Sequence, residues 1–82
     1  MAQVERSLEE LEREMGAICQ SKAEEFHLLG YEQVSADEIW ECVSTNYAQE
    51  VPPLHKVVND ILSLTVTKFM NWMMMKMYRG EI

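Results

Sequence analysis

The chain has 82 residues, with fourteen acids against seven bases and a net charge of −7. A domain this small buries a modest share of its surface, and many of its size lean on a partner, a metal or disulfides. The acidic balance argues against nonspecific nucleic-acid binding, which rests on Lys and Arg neutralising phosphates, and against an anionic membrane surface. Two cysteines, Cys19 and Cys42, are too few for a disulfide framework. The start MAQVERSLEE is charged at once, so no secretory leader is expected and a cytoplasmic protein with reduced thiols follows. Three glycines, two prolines and 48% apolar residues predict an all-α fold in a single domain over residues 1–82.

The first helix is predicted from about Val4 to Leu29. Val4, Leu8, Leu11, Met15 and Ile18 alternate four and three apart, the period of a coiled-coil seam. That register fails at Lys22 and Glu25, and the apolar set moves by one to Cys19, Ala23 and Phe26. Two heptads are too few for an independent coiled coil, so the seam reads as an intramolecular face. Residues 1–16 read as an acidic helical extension, with Glu5, Glu9 and Glu10 where the helix dipole favours them. Gly30 suits a left-handed stop.

Ser35 and Glu38 form an S-x-x-E capping box for the second helix, with Val34 and Ile39 as its hydrophobic staple. This helix is predicted from Ala36 to about Asn46, with Ile39, Trp40, Val43 and Tyr47 inward. The third begins at Pro52–Pro53, with Pro53 in the first turn, and runs through Tyr78 to Gly80. Its first half puts Leu54, Val57, Val58, Ile61, Leu62, Leu64 and Val66 on one side. Beyond Phe69 the pattern turns: Met70, Met73, Met74, Met77 and Tyr78 take the old polar side or its borders, and Lys68, Lys76 and Arg79 take the old apolar centre. The two halves must face different neighbours.

Two helices of about 26 residues, each about 39 Å long at about 1.5 Å per residue, frame a short one. The predicted architecture is a three-helix domain: two long antiparallel helices with a short helix across one end. Phe26, Trp40, Val58, Ile61 and Leu62 are expected in its core. In that pairing Glu5, Glu9 and Glu12 approach Lys68, Lys76 and Arg79.

No catalytic constellation is present, and no cofactor is implied. His27 and His55 lack the ligand spacing that zinc needs, so no metal site is expected. Cys42 reads as a small apolar residue packed in a helix. A helix-turn-helix reading of the second and third helices is a weak runner-up, given the long connection from Asn46 to Pro53 and a recognition face of Asn59, Asp60 and Ser63 without arginines. The methionine-rich run is interrupted by Lys68, Asn71 and Lys76 and is too short to span a membrane. Met is unbranched and adaptable, and large exposed apolar patches mark binding sites. Met70, Met73, Met74, Met77 and Tyr78 are therefore the expected protein-binding surface, with Asn59 and Asp60 as a polar edge near the start of the third helix. A homodimer on the methionine face is expected, because the first helix covers one side of the third and not both.

The segments Ser21-Lys22-Ala23-Glu24-Glu25-Phe26, Leu29-Gly30-Tyr31, Glu38-Ile39-Trp40-Glu41-Cys42, Leu54-His55-Lys56-Val57-Val58-Asn59-Asp60-Ile61-Leu62-Ser63-Leu64 and Met70-Asn71 resemble the ComN-type post-transcriptional regulators of Gram-positive bacteria. The resemblance covers about residues 20–79, and Val57 to Leu64 is its most specific part. It implies a small cytosolic regulator of late-competence messages that gathers at division sites and cell poles through a coiled-coil scaffold protein. It carries over no catalytic residue. The expected mechanism is an adaptor working through protein contacts. The alternatives are direct nucleic-acid binding, which needs Lys68, Lys76 and Arg79 on one exposed face, and a structural protein that pairs with a coiled coil.

Overall fold

The computed structural model describes residues 8–47 and 50–79. The expectations for Val4, Glu5 and Gly80 lie outside them. The described residues form helices α1 (Leu8–Glu14), α2 (Gly16–Leu28), α3 (Ala36–Ser44), a 3-10 turn at Thr45–Tyr47, α4 (Leu54–Leu62) and α5 (Val66–Tyr78). The all-α expectation holds. The three-helix arrangement does not, because both long helices are divided.

The first division is slight. Met15 N–H donates to Leu11 C=O at 2.8 Å, and Cys19 N–H donates to Met15 C=O at 2.9 Å, so helical bonding runs through the junction. Gly16, a poor helix former, stands where α2 begins. Leu11, Met15, Cys19, Ala23 and Phe26 are all buried, which is the register shift read from the sequence. Leu11 and Met15 seat α1 in the common core.

α2 ends as Gly30 predicts. Its φ of 102° is left-handed. Gly30 N–H donates to His27 C=O at 2.9 Å and Tyr31 N–H to Phe26 C=O at 3.0 Å, a complete Schellman motif. α3 opens with the predicted capping box: Glu38 N–H donates to Ser35 Oγ at 3.2 Å and Ser35 N–H to Glu38 Oε1 at 3.1 Å. Ile39, Trp40, Val43 and Tyr47 are buried, as expected. α3 is not a lid across one end. It packs on α2, α4 and α5 and is the hub of the fold.

The second division is a true break. α4 stops at Leu62, and Thr65 is extended at φ −103°, ψ 160°, with its Oγ1 accepting Lys68 N–H at 3.2 Å. The rotated pattern beyond Phe69 is the trace of this break: α5 is a new helix with its own inward face. Leu62, expected in the core, is 60% exposed, because it lies about 100° around α4 from buried Ile61. Val58 is partly buried against the core, and Phe26, Trp40 and Ile61 are fully in it. Pro53 is the N-cap of α4 and not part of its first turn.

Lys22 closes the break. Its side chain is 5% exposed, and Nζ donates to Leu62 C=O at 2.9 Å and pairs with Glu25 at 3.1 Å. The carbonyl belongs to the last turn of α4, where the helix itself supplies no partner. Across the break, Phe69 meets Phe26 edge-on at 5.7 Å between centroids and Trp72 at 5.7 Å. Trp72 Nε1 donates to Thr45 Oγ1 at 3.1 Å, and Lys76 pairs with Glu41 at 2.6 Å. Lys76 thus takes a partner on α3, where the antiparallel pairing had placed it near the acids of the first helix.

Two substitutions test this frame by urea unfolding. Trp40→Ala, which empties a buried ring site, is expected to cost about 3–5 kcal/mol. Lys22→Met keeps the buried stem and removes the charge-assisted bond, for an expected loss of about 1–3 kcal/mol. An unchanged midpoint for Lys22→Met would remove the cap from the account of the break.

Candidate functional site

α5 presents its faces in order around the axis. Phe69 is buried; Val66, Trp72, Met73 and Lys76 are half-buried. Met70, Met73, Met74 and Met77 follow the spacing i, i+3, i+4, i+7 and so line one edge of the helix. Met70 is 37% exposed, Met74 50% and Met77 59%, Met73 is half-buried against the core, and Tyr78 beyond them is 83% exposed. The expected partner-binding methionines therefore sit on one stripe. Met75, at 56%, faces away from it.

The stripe has a neighbour that sequence reasoning did not single out. The segment from Gly30 to Val34 and Glu38 of α3 form a groove of about 540 Å³ with Phe69, Met70 and Met73. His27 holds the segment in place, its Nε2 lying 2.7 Å from Val34 C=O. The left-handed stop at Gly30 was legible, but which side of the fold it delivers Tyr31 and Glu32 to depends on tertiary packing.

Asn59 and Asp60 do not share this surface. Asn59 is exposed on α4. Asp60, expected on the solvated face, is half-buried and turns toward the 3-10 turn, accepting from Tyr47 Oη at 2.5 Å and pairing with Lys56 at 3.1 Å. It lines a separate cleft of about 300 Å³ with Thr45, Ser63, Lys68 and Trp72. Burial opposes ionisation of the Asp60 carboxyl, but the Tyr47 and Lys56 hydrogen bonds, with the Lys56 and Lys68 charges, outweigh it and hold it below its ordinary value. Burial first, then the bond to Asp60 and its charge, push the Tyr47 phenol above its ordinary range, so it remains a donor. This pair is a latch between the 3-10 turn and α4.

Burial, then neighbouring acids, push the Cys19 and Cys42 thiols up to about 11, away from the reactive thiolate. Among the described residues no group of three or more His, Cys, Asp or Glu side chains gathers as a metal site, and no helix is long and apolar enough to cross a membrane. Of the cations that a nucleic-acid face would need, Lys68 lines the Asp60 cleft, and Lys76 is paired with Glu41 while lying 5.0 Å from the Trp72 ring centroid.

Residues 8–82 match the family described as post-transcriptional regulators, and the chain belongs to that family. No curated protein and no solved structure matches it.

The Asp60 latch gives a pH signature. Its folded pKa lies below the ordinary 3.8, so the unfolded chain binds more protons near that pH. The contribution is present above the unfolded value and lost as pH falls through the folded one. The stability gap between wild type and Asp60→Asn is expected to be constant above pH ~5 and to shrink below pH ~4. Urea midpoints across that range measure it, and Tyr47→Phe should narrow the gap at neutral pH. A gap unaffected by Tyr47→Phe would mean that the latch contributes nothing.

Proposed function

We propose that this member of the post-transcriptional regulator family is a non-enzymatic adaptor in the cytoplasm, acting through protein contacts made by α5. The observation that carries the reading is the stripe of exposed Met70, Met74 and Met77 beside half-buried Met73, which continues into Tyr78. A stripe of this kind on an otherwise acidic surface fits a protein partner, since adaptable thioethers pack against varied apolar shapes. The resemblance to ComN-type regulators adds a role in late competence and a place at division sites and cell poles beside a coiled-coil scaffold. Direct RNA contact is the weaker reading, because seven bases among fourteen acids give little to neutralise phosphates.

The expected homodimer would use the same stripe. Two chains of charge −7 oppose that pairing, so a second copy stands as the competing occupant. Light scattering across a dilution series reads it directly: a mass that falls from dimer to monomer would assign the stripe to self-association.

The test of the adaptor is a late-competence message fused to a reporter, compared with and without the chain. Met74→Glu combined with Met77→Glu places two charges in an exposed patch without touching the core. Reporter protein should fall to the level seen without the chain, while transcript synthesis and helical circular dichroism stay unchanged. Full regulation by the double variant would rule out α5 as the working surface. A salt-sensitive shift of message RNA by the pure chain would move the reading to direct RNA binding.

A further inference from the structure

The groove beside the α5 stripe has a charge that the stripe alone does not. Its rim carries Glu32 and Glu38, and no Lys, Arg or His is among the residues that line it. Glu32 is exposed. Glu38 accepts from Ser35 N–H in the capping box, a bond that leaves its negative charge in place. The floor is apolar, formed by Val34, Phe69, Met70 and Met73. We infer that this groove and stripe dock a cationic amphipathic helix of a partner protein, apolar side chains on the methionines and basic ones over Glu32 and Glu38.

The inference rests on the adaptor reading and names the chemistry of its partner. Three observations support the shape. Met70 to Met77 spans two turns of α5, about 10 Å, and its i, i+3, i+4, i+7 spacing is the row that a second helix packs against. The opposing wall is fixed before any partner arrives: Gly30 is left-handed, Tyr31 N–H is bonded to Phe26 C=O, and His27 meets Val34 C=O. A wall already ordered lowers the entropic cost of docking. Tyr31, which is 41% exposed, adds apolar surface to the groove on the same segment.

Charge decides among occupants. The chain's −7 and the acidic rim repel RNA phosphates, anionic lipid and a second copy of the same chain alike. The nearby cation of α5, Lys76, is already held by Glu41. A helix with lysine or arginine flanking its apolar row meets both the floor and the rim.

The test uses the full chain and two synthetic amphipathic peptides with the same leucine row, one flanked by lysines and one by glutamates. Fluorescence anisotropy should give about tenfold tighter binding for the lysine peptide at low salt, with the difference closing at high salt because the rim charges are exposed. Glu32→Lys with Glu38→Gln, which keeps the capping box, should erase the preference. Methyl resonances of Met70, Met73, Met74 and Met77 should move on binding, while buried Met15 and outward Met75 stay. Equal binding of both peptides, no binding of either, shifts centred on Met75, or a chain already dimeric through the stripe would each overturn the inference. The reporter assay with the Met74 and Met77 double variant is read separately, so the adaptor can stand when this partner chemistry fails.

Discussion

A helix that stops inside a small fold leaves carbonyl groups without partners, and Lys22 is the group that meets them. Its ammonium reaches from α2 to the Leu62 carbonyl, forty positions along the chain, while its own charge is balanced by Glu25. Burying an ammonium is costly unless it is bonded and paired, and here it is both. With α4 ended there, the Thr65 cap starts α5 in a new direction. Phe69 then reaches Phe26, and the methionine edge turns outward. The core of α2 and α4 and the surface of α5 thus depend on one buried cation.

Much of this was legible in the residues, and the limits have physical causes. Local signals survived: the Ser35 capping box, the Gly30 stop, the inward set of α3 and the shift from Ile18 to Cys19 as the buried position are all decided within a turn or two of the chain. Lys22 was visible as the place where the apolar register failed, but a lysine on an inward face reads as a flaw until its acceptor is known, and that acceptor lies far away in sequence. The break at Ser63–Thr65 left its mark as a rotated face. Thr65 lacks an acid three residues on, so it offers no capping box, and Leu64 and Val66 continue an apolar row across the gap. Leu62 was misplaced for the same reason, since a straight helix would have kept it inside.

The site divides along the same line. The methionine stripe follows from periodicity alone, because it lies within one helix. The groove does not, because its second wall comes from residues thirty to forty positions earlier. Asp60 shows the converse: a carboxylate that looks solvated by its place in an amphipathic pattern is taken by a tyrosine from the preceding turn. Polar residues bordering a buried face are ambiguous in sequence, and the aromatic hydroxyl that claims one of them is what settles it.

The distribution of charge is what the proposed protein-binding role would draw on. Lys56 and Lys76 are paired within the chain, Lys56 with Asp60 and Lys76 with Glu41. Glu32 on the 31–34 segment, by contrast, stays exposed beside the apolar stripe. Exposed ion pairs add little stability, so these pairs matter mainly for where they leave the remaining charge. They leave an acidic border around a flexible apolar row. In the proposed docking, methionine at that row would accept helices of differing sequence, and the acids would select among them by sign. The proposed adaptor would need both properties on the same face, and α5 with the 31–34 segment would supply them together.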